Sequence, residues 1–250
     1  MSRTFSFVYG IVCYFVFLVS FLYAIGFVGN FAVPRTIDSG LQASSSLALI
    51  VDLILLGLFA VQHTIMARQG FKRVWTKIVP VHLERSTYVL AASLLLLLLY
   101  WQWRPLPTVV WDAGQGAAAT LLWIVYGLGW FLVFISTFMI NHFDLFGLRQ
   151  IWIYAKGEEY QHPKFQTTAL YRHLRHPIML GFIIAFWATP RMTSGHLLFA
   201  IATTLYILVG IRFEEHDLMH FLGKEYKNYR QRVPMFVPFL KRGGSGTGEE

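Results

Sequence analysis

Residues 5–27 run without a single charged side chain, long enough as a helix to cross about 30 Å of hydrocarbon. Such a run constrains the chain strongly, because in lipid each backbone polar group must be satisfied within the protein, which leaves helices or closed barrels. Three further apolar runs follow, at about 47–67, 86–103 and 117–140. Over the whole chain 56% of residues are hydrophobic and only 14% charged, more apolar side chain than a soluble domain of this length can hide. The first run has no strongly basic leader and no small-residue cleavage site, so it reads as a retained span.

The polar segments set the topology. Arg68, Lys72, Arg73, Lys77 and Arg85 separate the second and third runs, and such a basic loop is expected on the cytoplasmic side. Trp101 and Trp103 then close the third run as an aromatic belt at the other interface. Residues 30–46 and 104–116 read as outer loops, and 141–175 as a polar return to the cytoplasm. The last apolar pair differs from the first four. Residues 178–189 reach only about 18 Å as a helix, and after a turn at 190–195 the segment 196–211 returns over about 24 Å. A tilted or incompletely spanning hairpin is therefore expected. On this layout only Arg35, Arg104 and Arg191 among the lysines and arginines face outward.

The predicted fold is all-α: a polytopic integral membrane protein with four full transmembrane helices, a C-terminal helical hairpin and a cytoplasmic tail helix. Residues 1–242 are expected to form one domain whose part 141–238 binds a cofactor, with the Gly-rich 243–250 disordered. A net charge of +8 raises the question of nucleic acid, but the positives lie between spans and no supporting motif accompanies them. Cys13 is the only cysteine, which excludes an intrachain disulfide.

Chemistry concentrates near the C-terminus. Arg175 and His176 precede Pro177, which lacks an N–H and presets φ for a first helical turn. The remaining N–H donors of that turn form a receptor for an anionic group. Gly181, one turn on, offers bare backbone against which a ligand can lie. Beyond the hairpin stand Arg212, Glu214 and Glu215, whose paired carboxylates suit ribose hydroxyls or an ammonium group. The plainer alternative is that the pair only bonds to Arg212 or neighbouring basic residues. Lys224, Lys227, Arg230 and Arg232, beside Tyr226 and Tyr229, read as a face resting on anionic headgroups.

The arrangement Arg175-His176-Pro177-x-x-x-Gly181, then Glu214-Glu215, then Tyr226-x-x-Tyr229 through Val233-Pro234 to Pro238 resembles the C-terminal signature of the isoprenylcysteine carboxyl methyltransferase and phospholipid methyltransferase superfamily. Where that pattern has a tyrosine two residues after the proline, this chain has Met179. Asn141 to Gln150, Gln62-His63 and Glu84-Arg85-Ser86 extend the likeness, which then covers most of the chain, to the bacterial methanethiol S-methyltransferases. The resemblance implies S-adenosylmethionine as cofactor, a small thiol as substrate, the lipid bilayer as surroundings, and a bacterial inner-membrane location with the site facing the cytoplasm. It places Arg175, His176, Pro177, Gly181, Arg212, Glu214 and Glu215 at the cofactor.

A thiol attacks far better as thiolate, so a positioned base helps, and histidine suits neutral pH. His142 is the first candidate for base or thiol orienter, with Asp144 holding it or acting in its place, and His63 is the second. The alternative for His142 and Asp144 is an interfacial helix cap. Asp52 reads as structural. His216 and His220 share a helix face, but without a third ligand they do not make a metal site. Other readings of the pattern are a methyltransferase acting on an isoprenylcysteine or lipid, an NADPH-dependent sterol-type reductase, and a non-catalytic membrane component.

Overall fold

The structure, a computed structural model, describes residues 2–161 and 167–237. Pro238 and the 243–250 tail lie outside the described residues. In chain order the elements are α1 (Arg3–Gly29), α2 (Ser45–Ala67), α3 (Gln69–Trp75), α4 (Val81–Gln102), β1 (Val109–Asp112), α5 (Ala117–Ile140), α6 (His142–Leu145) and α7 (Leu148–Lys156). A 3₁₀ turn (Ala169–Arg172), α8 (Pro177–Trp187), β2 (Arg191–Thr193), α9 (Ser194–Leu222) and α10 (Lys224–Arg232) complete the chain. Helices α1, α2, α4, α5 and α9 are long and apolar enough to cross a membrane, and their outward faces carry Phe15, Leu53, Phe131 and Leu205, all exposed. The protein is an integral membrane helix bundle.

The loops expected on one side do meet at one end of the bundle. β1 and β2 pair antiparallel, joining the 104–116 turn to the tip of the hairpin. Trp103 Nε1 donates to the Ile37 carbonyl at 3.0 Å, and Asp52 Oδ1 accepts the Arg104 amide at 2.9 Å. Asp52 thus caps a turn, in keeping with a structural part. Beneath this end lies the aromatic core of Phe27, Tyr100, Trp103, Trp130, Phe186 and Phe199. The other end, called here the basic end, gathers α3, α6, α7, the 3₁₀ turn and α10.

Two features of the hairpin depart from expectation. Its returning arm does not stop near residue 211 but continues as one helix to Leu222, because no proline or glycine interrupts residues 211–222 and charged side chains simply carry the rod beyond the apolar layer. Glu214 and Glu215 therefore stand on a rigid helix rather than in a loop. The second feature concerns Gly181. A Cβ there would lie 2.8 Å from the Gly129 carbonyl oxygen and 2.8 Å from the Val133 amide nitrogen. Its bare backbone receives α5, not a ligand, which corrects the role anticipated for it. Of the glycine pair in α5, Gly129 makes this close approach and Gly127 faces open space.

Candidate active site

The proline-started turn and the acidic pair converge. Pro177 opens α8 directly after His176, and α9 carries Glu214 and Glu215 to the same place. Arg175 Nε lies 2.8 Å from Glu215 Oε1, His176 Nε2 lies 3.1 Å from that oxygen, and Arg230 Nε lies 3.1 Å from Oε2. Arg175 also donates through Nη1 to the carbonyls of Arg230 (2.7 Å) and Val233 (2.9 Å). The result is a clasp that joins the start of α8, the end of α9 and the whole of α10. Tyr229 reinforces it by donating to the Tyr171 carbonyl at 2.7 Å.

The clasp divides the acidic pair. Both oxygens of Glu215 are engaged and its side chain is 6% exposed, whereas Glu214 is 48% exposed, with its carboxylate 3.6 Å from His176 Nδ1. Arg212 is exposed and makes no ion pair among the described residues. Arg230 belongs to the clasp, not to a headgroup-facing surface, and Tyr226 and Tyr229 are buried. Two aromatics at i, i+3 in a basic helix were the available sign of a packed face. Arg68 was not anticipated either: it lies 3.0 Å from Asp217 and 5.0 Å from the Phe213 ring centre, tying the α2–α3 junction to α9.

His142 opens α6, two residues past the end of α5, and is buried. Its Nε2 is 2.7 Å from the Tyr14 hydroxyl and its Nδ1 is 2.8 Å from Thr137 Oγ1. Phe138 stacks on the ring with centroids 4.2 Å apart, and Phe143 and Phe146 meet it edgewise. Asp144 does not hold it. That carboxylate turns to Arg149 at 3.1 Å and to the Tyr160 hydroxyl at 2.9 Å, because in the one-turn helix α6 a residue two places on points to the opposite side. The cap is Asn141, whose Oδ1 accepts the Asp144 amide at 3.2 Å. Burial alone lowers the His142 pKa from its ordinary value, which keeps the ring neutral at pH 7. Nothing in the sequence marked Tyr14, mid-way along an apolar run, as its partner.

His63 forms a separate pair with Tyr88, whose hydroxyl lies 2.9 Å from Nε2, and Phe59 stacks on it. Arg85 links the groups: its guanidinium lies over Tyr88 at 5.1 Å and its Nε donates to the Leu145 carbonyl at 2.7 Å.

The clasp and His142 stand at one level of the bundle. Helices α5 and α8 run antiparallel, and Gly181 meets Gly129 and Val133. His176, five residues earlier, is about 7.5 Å nearer the basic end, level with Ser136 and Thr137. Thr168 Oγ1 donates to the Met139 carbonyl at 2.8 Å, so the strap from 168 to 176 starts at the end of α5 and finishes in the clasp. A histidine in an apolar, aromatic box and an exposed carboxylate beside a helix start therefore both stand at the basic end.

Comparison with known proteins bears on what this arrangement does. The chain is 57% identical to the methanethiol S-methyltransferase of Mycobacterium tuberculosis, covering 97% of its own length and 99% of the relative's. It is 49% identical to the methanethiol S-methyltransferase of Crocosphaera subtropica, over 96% and 94% of the two chains. Mouse nurim is more distant, at 32% identity over 73% and 72%. No family model matches the chain, and no solved structure matches it.

Proposed function

Because this chain belongs to the methanethiol S-methyltransferase family, we propose that it methylates methanethiol with S-adenosylmethionine, giving dimethyl sulfide, S-adenosylhomocysteine and a proton. The observation that carries the reading is the clasp, which spends Glu215 on Arg175, His176 and Arg230 and leaves Glu214 half-exposed. A carboxylate so placed accepts hydrogen bonds from ribose hydroxyls or an ammonium group. The first turn of α8 has no side-chain cap, which leaves its N–H donors for an anionic group such as a carboxylate. These residues fit the two ends of a zwitterionic nucleoside. When bound, the cofactor supplies an electrophilic sulfonium methyl. His176 and Arg175 keep Glu215 ionised and immobile, so the turn at Pro177 is held against α9.

The basic end faces the cytoplasm on this reading, since Arg35, Arg104 and Arg191 are the only lysines and arginines in the outer loops. Methanethiol is small and apolar and reaches the bundle through lipid or between helices. The aromatic box around His142 suits it, with the imidazole as base for the thiol proton.

The test is headspace detection of dimethyl sulfide from purified protein given methanethiol and S-adenosylmethionine. A folded protein that forms none removes the proposal. Glu214→Gln is expected to weaken cofactor binding about 10- to 100-fold, the worth of a charge-assisted hydrogen bond, while its melting temperature stays near wild type. Calorimetric titration reads the first and thermal unfolding the second. Unchanged affinity would detach Glu214 from the cofactor.

A further inference from the structure

Thr137 decides the tautomer of His142. Its hydroxyl lies 2.7 Å from the Phe134 carbonyl, a group that can only accept, and with its single proton directed there its oxygen accepts from Nδ1 at 2.8 Å. Nδ1 therefore carries the ring proton and Nε2 is a bare lone pair. The Tyr14 hydroxyl, 2.7 Å away, donates to it. The hydrogen bonds then run in one direction, from Tyr14 through the imidazole and Thr137 to a backbone carbonyl. Both ring nitrogens are occupied. A substrate proton reaches the imidazole only by way of Tyr14 Oη, whose lone pairs are the accepting end of the chain.

The surroundings suit a molecule whose only polar part is an S–H group. Phe138, Phe143 and Phe146 enclose the imidazole. Phe17 lies 5.9 Å from Tyr14 and stacks on Phe146 at 3.8 Å. Among the described residues no charged side chain touches this group. Asp144 is turned to Arg149 and Tyr160, Arg85 stops at the Leu145 carbonyl, and on α1 Tyr9 bonds to Thr87 while Cys13 is buried. Helix α5 contributes Thr137, Phe134 and Phe138 to the ring's surroundings.

We infer that Tyr14 is a further catalytic residue: the thiol S–H donates to Tyr14 Oη, and Tyr14 passes its own proton to His142 Nε2 as the sulfur becomes nucleophilic. This rests on the methyl-transfer reading above. The S–H bond breaks with its electron pair left on sulfur, a new Oη–H bond forms, the old one breaks, and an Nε2–H bond forms. Tyrosine ends neutral and the imidazole ends as imidazolium, still donating from Nδ1 to Thr137. Because burial alone lowers the histidine's pKa, the imidazolium gives the proton up to water once product leaves.

Two measurements test this. In ¹⁵N spectra of histidine-labelled protein, the resonances missing from His142→Gln should be those of a neutral ring protonated at Nδ1. In Tyr14→Phe the Nε2 resonance should move towards that of a free imine nitrogen while Nδ1 stays in place. The opposite tautomer overturns the inference. In turnover, wild-type kcat/KM for methanethiol should be flat between about pH 7 and 9, since the base is already neutral there. Tyr14→Phe should be about 100-fold slower at pH 7 and recover about tenfold per pH unit as the thiol ionises in solution. His142→Gln should show the same recovery. A profile parallel to wild type, or a loss that does not recover with pH in either variant, overturns the relay while methyl transfer stands. Wild-type protein that forms no dimethyl sulfide removes both.

Discussion

Glu215→Ala is expected to lower stability by about 3–5 kcal/mol and to abolish cofactor binding. The size follows from burial. Arg175 and His176 have side chains 8% and 5% exposed, and removing their shared carboxylate leaves charge and donors with no counterpart in a dry site, the costly case for a buried ion pair. Arg230 loses its carboxylate as well, so the hold of α10 on α9 and α8 is weakened to the Arg175 and Tyr229 hydrogen bonds and the apolar contacts of Tyr226 and Tyr229. Thermal or denaturant unfolding in detergent measures the first effect and calorimetric titration with S-adenosylmethionine the second. Glu214→Gln, one residue away, provides the contrast, since it is expected to leave stability alone. If Glu215→Ala unfolds within about 0.5 kcal/mol of wild type, the range of ordinary surface substitutions, the clasp does not hold these elements together.

Gly181→Val is expected to destabilise by about 3 kcal/mol, the upper part of the range for overpacked interfaces. The first added carbon already lies 2.8 Å from two backbone atoms of α5, and backbone in the middle of a helix cannot step aside as a side chain can. The helices must separate, and His176 moves with α8. Loss of cofactor affinity should therefore accompany the loss of stability. Gly127→Ala is the control, because nothing lies within 4 Å of a Cβ there and alanine favours the helix. A melting temperature for Gly181→Val equal to that of wild type would mean that α5 and α8 do not depend on backbone contact.

Much of the fold was legible before any coordinates. The apolar runs, the basic loop after α2 and the aromatic end of α4 follow from how poorly lipid accommodates charge and unpaired backbone, properties local to each segment. The extent of α9 was not, since hydropathy registers where a helix leaves the apolar layer rather than where its hydrogen bonds stop. Gly181 was misread for a related reason. A bare backbone looks the same in sequence whether a ligand or another helix fills the space beside it.

The candidate site divides along the same line. His176 and Glu215 were named from spacing and likeness, but Arg230, in a tail that reads as a lipid-facing basic helix, becomes their partner only when α10 folds back on α9. Asp144 sits two residues from His142, yet Tyr14, 128 residues away in the chain, bonds the ring instead. Sequence by itself determined that the chain lives in a membrane, which segments are apolar and which residue types are available for chemistry, because transfer from water to lipid acts on each segment separately. Tertiary structure alone decided which carboxylate is buried and which is open, and which hydroxyl addresses the histidine, because hydrogen bonds and ion pairs depend on distances of about 3 Å that only the packing of distant helices sets.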